Sequence, residues 1–204
     1  MDPLLLELPE ELKTTRLLIR KYRKGDGKAL YDLLERNNNR EHLFPNVEEV
    51  ATIKNTEAAE IKVRQHAAEW VARKRFVLGV WLEKAALYVG EIWIEPNQWE
   101  VPSFELGWFL DNGFQGKGFA TEAAKRSLSF LFTNLRAHKV IVITRDTNQR
   151  SIKLAERLGF KREAHFREAR IEKGKRYGLM YFGLLRPEFS QDATYKPPIS
   201  IGGS

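Results

Sequence analysis

Asp111-Asn-Gly-Phe-Gln-Gly-Lys-Gly-Phe-Ala-Thr121 is the stretch that decides the fold of this chain. An apolar run ending at Leu110 meets three glycines within six residues, and a long amphipathic segment follows at once. That order reads as strand, tight turn, helix. A helix opening on such a loop presents unsatisfied backbone N–H groups and the positive end of its dipole, which suits a phosphate or pyrophosphate. Gly116 and Gly118 let the backbone approach an anion without Cβ interference, and Lys117 adds a charge. The spacing is neither the GxGxxG of dinucleotide folds nor a GxxxxGK[ST] phosphate loop. On these residues alone, a ligand-free glycine turn stays open.

Working outward, the chain alternates strand and helix signals. Arg16–Tyr22 reads as a strand, and the turn Lys24-Gly-Asp-Gly27 starts a helix to about Arg36. Residues 37–55, with three consecutive Asn and Pro45, read as loop. Thr56 to about Lys74 has Ala59, Val63, Ala67, Trp70 and Val71 at helical spacing. Phe76–Leu82, Leu87–Ile94 and Ser103–Leu110 form an expected antiparallel meander. The helix after the glycine loop runs to about Asn134 on an inner face of Ala120, Ala123, Ala124, Leu128, Leu131 and Leu135. Val140–Thr144 is a continuous apolar run, expected to be a strand buried on both faces. Asn148 reads as the N-cap and Gly159 as the stop of a short helix. Two last strands, near 162–171 and 176–185, flank Lys173-Gly174.

With 204 residues, 43% hydrophobic and 30% charged, the chain suits one globular domain. It has no cysteine, which excludes disulfides and thiolate chemistry, and no apolar run approaches the roughly 20 residues of a membrane span. His42, His66, His138 and His165 show no metal-ligand spacing, so no metal is expected. Met1-Asp-Pro-Leu-Leu-Leu-Glu-Leu-Pro9 lacks a basic region and makes a poor secretion signal, so a cytoplasmic location and no membrane association are expected. The net charge of +7 is uneven: residues 1–115 carry −3, residues 116–157 carry +6 and residues 161–186 carry +5. A field of that sign attracts a polyanion, either nucleic acid or a phosphorylated cofactor; a solvated basic surface kept for solubility is the equal alternative.

Several separated motifs then agree on a family. Gln115-Gly-Lys-Gly118-Phe-Ala120 resembles the [QR]xxGx[GA] acyl-CoA loop of the GNAT acetyltransferase superfamily. Asp146-Thr-Asn148-Gln-Arg-Ser151, followed by Leu158-Gly159-Phe160, resembles the NxxS…GF segment of its ribosomal-protein (Rim-type) branch. Thr15-Arg16-Leu-Leu-Ile19-Arg20 is similar to that branch's first strand, Gly90-Glu-Ile to its third and Glu105-Leu-Gly107-Trp108 to its fourth. Thr121-Glu122-Ala123 is similar to the start of its CoA helix. The likeness covers about residues 14–186.

The resemblance implies an α/β fold: a mixed, mainly antiparallel sheet with helices on both faces, splayed at the fourth and fifth strands. It divides the chain into an extension (1–13), an N-acetyltransferase domain (14–186) and a flexible tail (187–204). It implies acetyl-CoA as cosubstrate and a primary amine as acceptor, foremost a protein N-terminal α-amine, with association with the ribosome. The cofactor site would comprise Phe109, Leu110, Gln115, Gly116, Lys117, Gly118, Phe119, Ala120, Thr121 and Asn148. A bulge near Gly107 would expose N–H groups near Phe109 and Leu110. Glu105 would draw a proton from the acceptor ammonium, and Ser151 would protonate the departing thiolate. Each role has a plainer alternative: an edge carboxylate for Glu105, a first-turn residue for Ser151 and a helix cap for Asn148. Trp93, Trp99, Trp108 and Phe104 would line an acceptor cleft or fill the core.

The chain also departs from the family. Ala155 stands where many members carry a general-acid tyrosine, Glu163-Ala164 follows where Glu-Gly is frequent, and Gly178 replaces an aspartate of the last hairpin. A polyamine, aminoglycoside or amino-acid-like acceptor is the alternative within the enzyme class. An RNA- or ribosome-binding module with a vestigial CoA site is the alternative outside it, though RRM, KH and zinc-knuckle signatures are missing. The assembly expected is a monomer or a homodimer.

Overall fold

The computed structural model describes residues 2–43 and 47–189. Eight strands form one sheet in the order β1-β2-β3-β4-β5-β6-β8-β7. They are β1 (Glu11–Lys13), β2 (Leu17–Lys21), β3 (Phe76–Leu82), β4 (Leu87–Gln98), β5 (Ser103–Leu110), β6 (Lys139–Arg145), β7 (Lys161–Glu172) and β8 (Lys175–Leu185). Every neighbouring pair is antiparallel except β5–β6. The helices are α1 (Gly27–Glu35), α2 (Asn39–Leu43), α3 (Thr56–Val71), α4 (Phe119–Thr133) and α5 (Gln149–Arg157).

Strand alternation sends successive side chains to opposite faces, and two cores result. On one face Leu17, Leu78, Ile92, Phe104, Leu106 and Val142 pack with Leu128 and Leu131 of α4 and Ile152 and Ala155 of α5. On the other, Tyr22, Val77, Trp81, Tyr88 and Phe109 pack with Leu30 and Leu33 of α1 and Ala59 and Val63 of α3. No helix among the described residues is long and apolar enough to cross a membrane.

The one parallel junction opens the sheet. Register between β5 and β6 runs only from Ser103↔Lys139 to Glu105↔Ile141. Beyond it β5 continues to Leu110 and β6 to Arg145 without pairing, so the two strands splay.

Four details differ from the sequence expectation. Glu11–Lys13 adds an edge strand on β2, because Leu12 is fully buried in the core. Residues 37–55 hold α2 and a 3-10 turn at Glu48–Ala51. In β6, Val140 and Val142 are buried while Ile141 and Ile143 are only half-buried; the strand is covered by helices on one face, not two. Register across β4 and β5 is regular at Trp93↔Gly107, so Gly107 marks no bulge there. A Cβ at 107 would overlap the Trp93 indole, which is what requires the glycine. Arg186–Glu188 form a 3-10 turn, and Phe189 stacks on Phe132 at 4.8 Å. The rest of the expected tail, residues 190–204, lies outside the described residues.

Candidate active site

The glycine loop hangs from a buried carboxylate. Asp111, fully buried at the end of β5, accepts hydrogen bonds from Arg36 Nε (2.6 Å), Asn37 Nδ2 (2.8 Å) and the Gly113 N–H (2.9 Å). Burial alone would raise its pKa, yet the hydrogen bonds from Asn37, Arg36 and Gly113 hold it below the usual carboxylate value. Gly116 and Gly118 adopt φ of +75° and +80°, the left-handed region open to glycine. Gly118 is the N-cap of α4 and has no side chain to cap the first N–H groups of the helix.

Glu122, in the first turn of α4, would put a negative charge beside that terminus. It is engaged instead by Thr14 Oγ1 (2.6 Å), the Arg16 N–H (3.1 Å) and the Arg16 guanidinium (2.6 Å). Arg16 also donates to the Lys117 carbonyl (3.0 Å) and lies 4.3 Å from the Phe119 ring centre. The start of β2 is thereby clamped to the glycine loop.

A cleft of about 660 Å³ opens between this loop, β5 and α5. Phe109, Leu110, Gln115, Gly116, Gly118, Phe119, Ala120, Thr121 and Asn148 line it, and so does Ser151. Lys117 does not: its ammonium donates to the Gly113 carbonyl (3.1 Å) and lies 5.1 Å from the Phe114 ring centre. The cations lining the cleft are Arg150, Lys153 and Arg157 of α5. The cations on the cleft wall therefore stand across from the glycine loop. These three were legible as a stripe at helical spacing within the basic half of the chain. Arg150 donates to Gln115 Oε1, and Gln115 Nε2 lies 2.6 Å from His42 Nε2, so α5, the loop and α2 are linked in one chain. Burial first and the Arg150 charge second lower the His42 pKa, which favours the neutral imidazole.

A second cleft of about 210 Å³ lies in the splay itself. Trp93, Gly107, Thr144, Arg145, Arg170 and Tyr177 are among its walls. Trp108, Asn148 and Ser151 line both clefts, so the two spaces meet at these residues. Asn148 Oδ1 accepts the Ser151 N–H (3.2 Å), so Asn148 caps α5 while facing both spaces. Of the four aromatic candidates, Trp93 and Trp108 line these two clefts. Phe104 is buried with Trp99 packed against it.

Ladder geometry identifies the donors on the open side. The Asp111 N–H bonds to the Val89 carbonyl (2.9 Å), and alternation then turns the Phe109 N–H toward β4. The N–H groups of Leu110 and Trp108 face the side that β6 has left. The Leu110 N–H thus points to the open side and the Phe109 N–H points away from it.

Glu105 lines neither cleft. It is the last β5 residue paired to β6 and shares a sheet face with Gly107 and Trp93. Burial first, then the Glu95 carboxylate directly across the strand pair, push its pKa up to about 7; Arg75 opposes them. Gly178 has a local reason too. A Cβ there would overlap the Asp146–His165 pair, whose Oδ2–Nε2 distance is 3.0 Å. Among the described residues no cluster of His, Asp or Glu is placed to hold a metal.

The family model for the acetyltransferase (GNAT) domain matches residues 16–161. YnaD, an uncharacterized N-acetyltransferase of Bacillus subtilis (strain 168), is 26% identical over 180 residues, covering 88% of this chain and 99% of that protein. The ribosomal-protein-S5-alanine acetyltransferase of Vibrio fischeri superposes with a TM-score of 0.78 at 17% identity, covering 89% of this chain and 99% of that one. The microcin C7 self-immunity acetyltransferase MccE, solved with acetyl-CoA and AMP, superposes with a TM-score of 0.76 at 18% identity over 84% of this chain and 93% of its own. These structural likenesses show a common fold. With the family model spanning most of the chain, they lead to one conclusion: this protein belongs to the GNAT acetyltransferases, the acyl-CoA-dependent N-acetyltransferases.

Proposed function

We propose that this protein transfers the acetyl group of acetyl-CoA to the α-amine of a protein N-terminus, by direct attack in a ternary complex. The observation that carries this reading is the meeting of two clefts at Trp108, Asn148 and Ser151. One cleft has the makings of a pyrophosphate cradle. Nothing stands within 4 Å of where a Gly116 Cβ would sit, the α4 terminus is uncapped and α5 faces it with three cations. Gln115, the backbone from Gly116 to Thr121, Arg150 and Arg157 would hold the phosphates, with Lys117 contributing its N–H. Phe109, Leu110 and Phe119 would wall the acyl arm. The other cleft, in the splay, would admit an amine.

Bound acetyl-CoA supplies an activated thioester. The Leu110 N–H would donate to its carbonyl oxygen, where negative charge develops. Glu105 takes one proton from the acceptor ammonium through water and releases it to solvent; with a pKa near 7 it is matched to that task. The amine nitrogen then bonds to the acetyl carbon as the carbon–sulfur bond breaks. Ser151 Oγ–H gives its proton to sulfur and recovers one from the nitrogen. The products are the amide and the free thiol. An acetyltransferase of a ribosomal protein among the structural neighbours supports a ribosomal acceptor, as does the basic surface of residues 116–186.

The test is incubation with acetyl-CoA and a panel of N-terminal peptides, a polyamine and an aminoglycoside, read as free thiol and as product mass. Acetylation of peptide α-amines is the expected result. Turnover of the small polyamines alone would overturn the N-terminal acceptor, and thiol release with no amine in the panel would overturn the transfer reading.

A further inference from the structure

Helices α1 and α3 cover the sheet face over β3 and β4, but β6, β8 and β7 continue beyond their reach. On that uncovered face Ile141, Ile143, Leu179 and Tyr181 are only half-buried, and Phe166 is 54% exposed. Glu105 stands at one end of this apolar platform. At the other end the charged side chains lining the second cleft are Arg145 and Arg170; among the described residues no carboxylate lines it.

The two arginines differ. Arg145 is held by Glu172 at 2.7 and 3.3 Å and stacks on Tyr177, 4.0 Å from its ring centre. Arg170 is exposed, and among the described residues no carboxylate pairs with it; its guanidinium donates to the Ala169 carbonyl at 3.3 Å. A bulge puts it there. Register passes from Phe166↔Leu179 to Arg170↔Tyr177, four residues of β7 against two of β8, with Glu168 at φ +50°. An unbulged ladder would set Glu168 opposite Tyr177 and turn an acid toward the cleft. The bulge instead sends Glu168 to Arg176 (3.0 Å) and brings Arg170 to the cleft wall. Bulges beside sites commonly re-aim a side chain in this way.

We propose that the acceptor amine carries a carboxylate near its reacting nitrogen, and that Arg170, supported by Arg145, binds that carboxylate. This rests on the acetyl-transfer reading of the same site. Ser151 and Arg170 line one small cleft, so the carboxylate falls within about two residues of extended chain, roughly 7 Å, of the amine. In a peptide it is Asp or Glu at the second or third position. In a small molecule it is the acid group of an amino acid. A guanidinium with unused donors recognises a carboxylate through paired, charge-assisted hydrogen bonds, and it repels polycations.

The experiment uses the full chain, acetyl-CoA and matched hexapeptides beginning with alanine. Positions two and three are Asp-Glu, Asn-Gln or Lys-Lys; free glutamate and spermidine complete the set. The acidic peptide should exceed the neutral one in kcat/KM by about 10-fold, and the lysine peptide should be poorest. Arg170→Gln should bring the acidic-to-neutral ratio close to one, and Arg170→Glu should invert it toward the lysine peptide. Preference for free glutamate over the acidic peptide would assign the carboxylate to a small acceptor. Equal turnover of the three peptides, or an unchanged ratio in Arg170→Glu, overturns the proposal and leaves acetyl transfer standing. Absence of thiol release with every amine overturns the transfer reading and the proposal with it.

Discussion

Asp111 Oδ2 lies 2.6 Å from Arg36 Nε, a fully buried carboxylate paired with a guanidinium of the segment that follows α1. Arg36 also donates to the Tyr88 carbonyl, so the pair ties β4, β5 and the α1–α2 turn together at the root of the glycine loop. Asp111→Ala would leave Arg36 and Asn37 without their acceptor. We expect a loss of about 3 kcal/mol, the lower end for breaking a buried pair because Arg36 is partly exposed. Denaturant titration checks it. The folded pKa of Asp111 is depressed, so its contribution is present above the unfolded value near 3.8 and disappears as pH falls through the folded one. The parent should therefore lose stability faster on acidification than the Ala variant.

Gly118→Asp tests the cradle. A carboxylate at the N-cap of α4 would stand where the pyrophosphate is placed, beside backbone donors that it would itself occupy. A Cβ there comes within 3.4 Å of Arg16 Nη2, a flexible guanidinium, so the fold should survive despite φ of +80°. Acetyl-CoA affinity by calorimetry should weaken by at least 10-fold. Unchanged affinity in a folded variant would remove the loop from the cofactor site.

Much of this architecture was legible because its signals are local. The glycines at positive φ, the Asn148 cap and the meander between Phe76 and Leu110 each declare themselves within a few residues. The misreadings arise where the outcome depends on what packs alongside. Ile141 and Ile143 read as core because they are apolar, yet both are only half-buried. Gly107 read as a bulge, yet the ring of Trp93 across the ladder needs its space. The Lys117 ammonium turns back to the Gly113 carbonyl, while the α5 cations, some thirty residues on, line the cleft. The β7 bulge that brings Arg170 to the second cleft has no glycine to announce it; Glu168 takes the positive φ instead.

Ser151→Ala separates chemistry from structure. The residue's backbone N–H, not its hydroxyl, is what Asn148 caps, so α5 should keep its start. If the hydroxyl protonates the leaving sulfur, kcat should fall by roughly 10²-fold with acetyl-CoA affinity nearly intact. Single-turnover kinetics of acetyl transfer measures that step directly. Equal rates would return Ser151 to the first turn of a helix and nothing more.

Glu105→Gln addresses the proposed base. Burial first, and then the charge of Glu95 across the ladder, push the pKa of the Glu105 carboxyl up to about 7. Such a group is protonated below neutrality and competent as a base above it, so the parent kcat/KM should rise through pH 7. Glutamine keeps the size and hydrogen bonding but cannot accept the proton; a fall of roughly 10²-fold near pH 7.5 is expected. The deficit should shrink at high pH, where the acceptor amine is already neutral. The same substitution carries a stability signature. A carboxyl whose folded pKa is raised favours the fold while protonated, and stability drains as pH climbs from about 4.5 through 7. Glu105→Gln should flatten that slope. A rate profile that overlays the parent would dismiss Glu105 as the base. A uniform loss at all pH values, with the stability slope still flattened, would make it a residue that positions the acceptor beside Gly107 and Trp93.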